Sequence, residues 1–227
     1  MTNRLRCLLV AVLSCAAAAG CGSNVRLETP TIPEPLINTL PMTVAVRLPE
    51  NFHNFVHEEE VLGREQWTIN LGGANASFFT QLFSYMFETV ELIEPGEEPS
   101  DRVFDAMLEP SIDAFEFSVP SQTKTDAFAV WIRYRIKVYD RHGTLVLDAP
   151  VNAYGKSLTT TMGGSRALQN AAVLAMRDAA ALMIMKFDEQ TLFTSLADPT
   201  AEVPGVGDGD GDNEATVTRT ALGGKQE

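Results

Sequence analysis

Residues 127–139 alternate without a break. Phe128, Val130, Ile132, Tyr134, Ile136 and Val138 fall on one side of an extended chain. Ala129, Trp131, Arg133, Arg135, Lys137 and Tyr139 fall on the other. Successive side chains of a strand point to opposite faces, so this period of two demands a strand with one buried face. Asp140-Arg141-His142-Gly143 then supplies a turn, with Gly143 free to take positive φ. Residues 144–149 run back as a partner. The expectation is the central hairpin of an antiparallel sheet.

The rest of the chain is placed around that hairpin. Met42, Val44, Val46 and Leu48 alternate with Thr43, Ala45 and Arg47, which predicts a first strand ended by Pro49. Residues 50–71 read as a solvated acidic loop or a short helix. Over 72–90 Phe79, Leu82, Phe83 and Met86 recur at helical spacing, with Asn75 or Ser77 as a cap. Residues 91–93 form a short strand. Residues 103–117 form a longer one, in which Pro110 argues for an edge position or a bulge. Pro150 is expected to break the returning strand, with 151–156 resuming it. A second helix covers 163–187, entered at Ser165. Its face of Leu168, Ala171, Ala172, Ala175, Ala179, Leu182 and Met183 is rich in alanine, so it can approach a sheet closely.

These elements define one α+β domain over 42–196, with a mainly antiparallel sheet and two major helices packed on one face. Such a layout leaves the other sheet face free. Trp131, Arg133, Arg135, Lys137 and Tyr139 would stand on it, and aromatics among arginines have the composition of a protein contact surface. A face that is merely solvated, or covered by the N-terminal segment, is the competing reading.

Reaction chemistry is not written into the chain. His53 and His57 are four apart, but the glutamate of a His-Glu-x-x-His zinc site does not lie between them, and no third ligand is marked. Gly72-Gly73 lacks the lysine and hydroxyl of a phosphate loop. Gly164-Ser165 lacks the Gly-x-Ser-x-Gly spacing of a nucleophile elbow. No enzyme, cofactor or metal is therefore expected. The formal charge of −13 argues against nucleic acid as a partner, because phosphate contacts need a basic surface. The phenylalanine stripe of 78–87 is core, or else one wall of a groove for an apolar, lipid-like ligand.

The ends of the chain say where it resides. Arg4 and Arg6 precede a short apolar run, and Ala18-Ala19-Gly20 are small, so residues 1–20 read as a secretory signal. The run is too short for a membrane span of ~20 residues. Small residues ending in a cysteine resemble a bacterial lipobox. That resemblance implies that Cys21 becomes the first mature residue and carries a diacylglyceryl group and an N-acyl chain. Stable anchoring takes more than one chain, and acylation at Cys21 meets that need without a helix. Val12-Leu13-Ser14-Cys15 is a rival site with a shorter apolar run. Glycine at position 22, by the sorting rules of enteric bacteria, implies the outer membrane. Cleavage takes Arg4 and Arg6 from the 17 basic side chains and moves the formal charge from −13 to −15.

Residues 21–41 hold Pro30, Pro33, Pro35 and Pro41 and read as a lipidated tether, though Leu36, Ile37 and Leu40 leave open an ordered arm packed along the domain. Residues 197–227 read as a disordered acidic tail. Asp208, Asp210 and Asp212 resemble the start of a calcium loop, but position 12 is Arg219 rather than glutamate. In element order the chain resembles small outer-membrane lipoproteins of the YajG-like kind. It is also similar in layout to the curli-secretion and lipopolysaccharide-assembly lipoproteins. The resemblance implies a periplasm-facing, non-catalytic accessory or assembly subunit that binds another envelope protein.

Overall fold

In the computed structural model the described residues are 22–93, 97, 103–159, 163–188, 193 and 196. In chain order they form β1 (Gly22–Arg26), β2 (Leu40–Arg47), α1 (Glu50–His53), β3 (Val56–Val61), β4 (Glu65–Asn70), α2 (Gly72–Met86) and β5 (Phe87–Ile93). Then follow β6 (Ala106–Ser118), α3 (Pro120–Thr123), β7 (Ala127–Asp140), β8 (Leu145–Leu158) and α4 (Gly164–Asp188). The class is α+β. The signal segment, Cys21 and the tail at 197–227 lie outside the described residues.

The larger sheet has the order β5-β2-β6-β7-β8 and is mixed, not mainly antiparallel. β2 lies parallel to both β5 and β6, whereas β6–β7 and β7–β8 are antiparallel. β5 is parallel to β2 because α2 intervenes between them, turning the chain back to the end where β2 began. β7 buries Val130, Ile132, Tyr134, Ile136 and Val138, as the alternation requires. Its turn to β8 is held by Asp140, whose Oδ1 accepts from the backbone N–H of His142 and of Thr144, both at 2.8 Å.

Pro150 does not interrupt β8, which runs continuously and pairs Pro150 with Arg135. β8 is the edge strand, and the Pro150 carbonyl faces outward to accept from Lys186 Nζ at 3.3 Å. The missing N–H therefore falls where no neighbouring strand needs it. Pro110 likewise lies just past the last β2 pair, Val46↔Leu108, where β6 has only β7 beside it. The bulge in β6 comes later, at Asp113, between the pairs of Ile112 and Ala114.

α2 ends at Met86 rather than at 90. Phe87 is already extended (φ −123°, ψ 147°), and the β-branched Thr89 and Val90 continue into β5. Its N-cap is Leu71, not Asn75 or Ser77. Asn75 is inside the helix and fully buried, where its Oδ1 accepts from the Tyr134 hydroxyl at 2.8 Å. The phenylalanine stripe is core. Phe79 packs its ring against Phe52 (5.2 Å between centroids), Phe78 (5.5 Å), Phe83 (5.7 Å) and Tyr134 (5.1 Å). These rings occupy the space in which an apolar ligand was one expectation.

α4 packs against β7 and β8 on the same face. Gly155 permits the approach: a Cβ there would stand 2.0 Å from the Ala171 carbonyl oxygen. Two further short helices, α1 and α3, accompany the two long ones.

Residues 50–71 hold more structure than an acidic loop. After α1 they make the β3–β4 hairpin, and β1 joins it as a parallel neighbour of β4. The buried Trp67 and Ile69 alternate with Gln66, Thr68 and Asn70. Trp67 meets Phe117 (5.8 Å) and Phe128 (5.9 Å), seating the small sheet on the large one. The expected tether is thus partly domain. Gly22–Arg26 is a strand, and Val25, Leu27 and Ile32 are buried. The apolar residues among the prolines give this segment a face to bury, so it packs as an arm.

Candidate functional site

The face of the larger sheet opposite α2 and α4 carries Trp131, Arg133, Arg135, Lys137 and Tyr139. No described element lies across its centre. The structure divides these residues among three settings.

Trp131 and Tyr154 form the first. They are directly opposed on β7 and β8, with ring centroids 5.1 Å apart and planes tilted by 46°. Each keeps more than two-fifths of its surface exposed, at 44% and 43%. Beside them, Arg133 Nε donates to Asn152 Oδ1 at 3.0 Å. Ala114 and Glu116 of β6 close the other side of a shallow groove of about 360 Å³. Small Ala114 lets the floor dip, with an aromatic wall on one flank and a carboxylate, a guanidinium and an amide around it.

Arg135 belongs to the second setting. Its Nη1 donates to Asp148 at 2.6 Å and its Nε to Asp113 at 2.8 Å. Hydrogen bonds to Asp148 and then Asp113 push the guanidinium further up, so it stays charged. The β6 bulge places the extra residue, Asp113, where it can reach Arg135. Arg135 is occupied as a cross-strand clamp over three strands.

Tyr139 is in the third, at the far end of β7. It packs with Phe104 on a small cluster of Ala45, Ile93 and Met107. The Arg47 guanidinium lies 5.9 Å from its ring centroid and is paired with Glu109 at 2.6 Å. Tyr139 is eight residues from Trp131, roughly 27 Å along the strand, so the two do not share one compact site.

The structure therefore brings Trp131 and Arg133 together and separates Arg135 and Tyr139 from them. Tyr154, Asn152 and Glu116 were not singled out from the sequence. Hairpin register counted from the turn would have set Ala153 opposite Trp131; a one-residue shift between Val138 and Tyr139 brings Tyr154 there instead.

The histidines do not share a helix face. His53 closes α1, while His57 lies on β3 with Nε2 3.0 Å from Glu59 Oε2 and its ring against Phe115 (5.0 Å). Among the described residues, no group of three or more His, Cys, Asp or Glu side chains is gathered as a metal site. The buried Tyr134 phenol is pushed well above its ordinary value by burial, and it is spent on Asn75.

No family model matches the chain, and no curated protein matches it. Solved structures show distant likeness. A minor lipoprotein from Acinetobacter baumannii has 11% identity and a TM-score of 0.39, over 66% of this chain and 92% of that one. A hypothetical protein from Chlamydia trachomatis has 12% identity and a TM-score of 0.40, over 65% and 96%. A lipoprotein candidate from Caulobacter crescentus has 12% identity and a TM-score of 0.35, over 53% and 79%. Likeness at this level says nothing of what this chain binds or does.

Proposed function

We propose that the chain is a non-enzymatic envelope lipoprotein, held by acyl chains on Cys21 to the periplasmic side of the outer membrane. Its role is to dock another envelope protein on the open face of the larger sheet. The observation that carries the docking is the exposed Trp131–Tyr154 pair beside Arg133. Tryptophan, tyrosine and arginine are the residues in which binding energy concentrates at protein interfaces. Here they stand on a rigid strand pair, so little order has to be imposed on binding. The signal segment, the small residues before Cys21 and Gly22 support the anchoring and the membrane. The reading as a carrier of an apolar ligand has no comparable support, because the rings of α2 fill their own space.

Each part has a test. Cys21→Ser should abolish labelling by a fatty-acid analogue and release the protein from the membrane fraction; labelling that persists moves the site to Cys15. For the docking face, a photo-crosslinking side chain at Tyr154 should capture one envelope protein in cells, and the same side chain at exposed His142 should not. Trp131→Ala should eliminate the capture with the thermal melt unchanged. Equal capture at both positions would refute the face.

A further inference from the structure

We infer that one end of the domain, formed by the β3–β4 turn and the β6–β7 connection, rests on the bilayer with Leu62 inserted into its interface. The inference rests on acylation at Cys21. Cys21 is bonded to Gly22, the first residue of β1, so no linker separates the anchor from the folded domain. β1 runs parallel to β4, and Gly22 stands opposite Gln66. Neighbouring strands are ~4.8 Å apart. Gly22, the residue bonded to Cys21, therefore lies one strand away from the turn that enters β4, whose residues are Leu62, Gly63 and Arg64.

That turn has an unusual build. Leu62 is 56% exposed and takes φ +54°. A leucine there suffers the left-handed clash of Cβ with the following carbonyl, and in water it buries little in return. Insertion into the acyl boundary of a membrane would supply the missing burial. Of the described residues, Lys124 is the other non-glycine at positive φ (+56°), and it lies at the same end. It caps α3, and α3 is joined to the β4 start by Ser121 Oγ donating to Glu65 at 3.5 Å. Next to this connection β8 ends in Leu158, 66% exposed and paired with Ala127. Thr159 N–H donates to the Asp126 carbonyl at 2.8 Å, tying the two segments together.

Two exposed leucines and two cations thus share the rim to which the anchor is fixed. Arg64 and Lys124 have long stems suited to lying along lipid and reaching phosphate with their charged heads. Among the acids nearby, Glu60 accepts from Gln66 and Glu65 from Ser121, while Asp126 is exposed and offsets part of the positive charge. The rim is amphipathic rather than strongly basic, which fits an anchored protein that needs orientation more than capture. Its contact also places Trp131 four residues up β7, roughly 14 Å along the strand from the rim. The partner on that face would meet it close to the membrane.

The test uses the full acylated protein in vesicles of phosphatidylethanolamine and phosphatidylglycerol. Acylation of Cys21 leaves an introduced cysteine as the free thiol of the mature chain. An environment-sensitive fluorophore at L62C or K124C should shift to the blue and lose access to aqueous iodide several-fold relative to the same label at H142C. Full iodide access at all three positions in floating protein overturns the orientation and leaves the anchor standing. Failure to float removes the anchor and the inference with it. Shielding at position 62 in detergent micelles carrying a co-purified protein, but not in vesicles, assigns the rim to that protein and also overturns it.

Discussion

Two residues inside the fold show how tightly side-chain chemistry is constrained. Tyr134 donates its hydroxyl to Asn75 with no solvent in reach, and burial holds its phenol protonated far above the ordinary ~10. In the unfolded chain Tyr134 ionises near pH 10, whereas in the folded chain it does not. Above pH 10 the unfolded state binds fewer protons, so stability falls as pH rises, by up to about 1.4 kcal/mol per pH unit from this group. Tyr134→Phe should be less stable at pH 7 by about 1–2 kcal/mol, since Asn75 keeps its burial and loses its partner. It should also show a shallower alkaline decline in urea melts between pH 9 and 11. Gly155 is the second case. A Cβ there meets the backbone of α4 at Ala171 and, 2.4 Å away, at Ala175 N, and backbone cannot move aside cheaply. Gly155→Ala should cost about 3 kcal/mol in denaturant melts. Neither role was visible beforehand. Tyr134 and Gly155 read simply as strand residues, because the residues they touch lie 59 and 16 or more positions away in sequence.

β7 is the element on which register can be tested. Ile132 and Ile136 are buried, and truncating either to alanine should cost ~2–5 kcal/mol. Arg133 faces outward, and Arg133→Ala should cost ~0.5 kcal/mol or less. Arg135→Ala should be milder than either isoleucine change and should be felt most at low salt, because its ion pairs are at the surface. Thermal melts of the four variants decide it: a tolerant Ile132 with a damaging Arg133 would mean that the strand is inverted. The same strand shows what periodicity can deliver. Strict alternation marks its two faces, since a strand has no other way to satisfy that pattern. It does not say where along the outer face a site lies. That depended on the shift at Val138/Tyr139, which sets Tyr154 against Trp131, and on the bulge at Asp113, which draws Arg135 away into ion pairs.

At the scale of the whole molecule, the N-terminal arm is part of the structure. Val25, Leu27 and Ile32 are buried with the small sheet and α4, and Arg177 Nη2 donates to the Thr31 carbonyl at 3.2 Å. A chain that begins at Met42 loses β1 and those three side chains. It should be less stable by at least ~3 kcal/mol, even after allowing for burial already present in the unfolded chain. Urea titration against the chain beginning at Gly22 checks this; equal midpoints would restore the tether. If Cys21 is acylated as proposed, an arm that folds against the domain also changes what the anchor would do. A tether of that length would let the domain wander, whereas a strand beginning at Gly22 would fix which end of the domain meets the lipid.

What the sequence alone determined is what local pattern encodes. The two faces of β7, the aromatic face of α2, the alanine face of α4 and the small residues before Cys21 are each written in spacings of a few residues. The tertiary structure decided everything that depends on distant partners. β5 flanks β2 in parallel because α2 returns the chain to the end where β2 began, and β1 becomes a strand because β4 offers it an open edge. Pro150 stays within β8 because that strand is the last of its sheet. Trp131 acquires Tyr154 as a neighbour through one shifted pair near the turn. Hydrogen bonding and close packing are satisfied between segments far apart in sequence, so the choice of partner is settled only when all of them fold together.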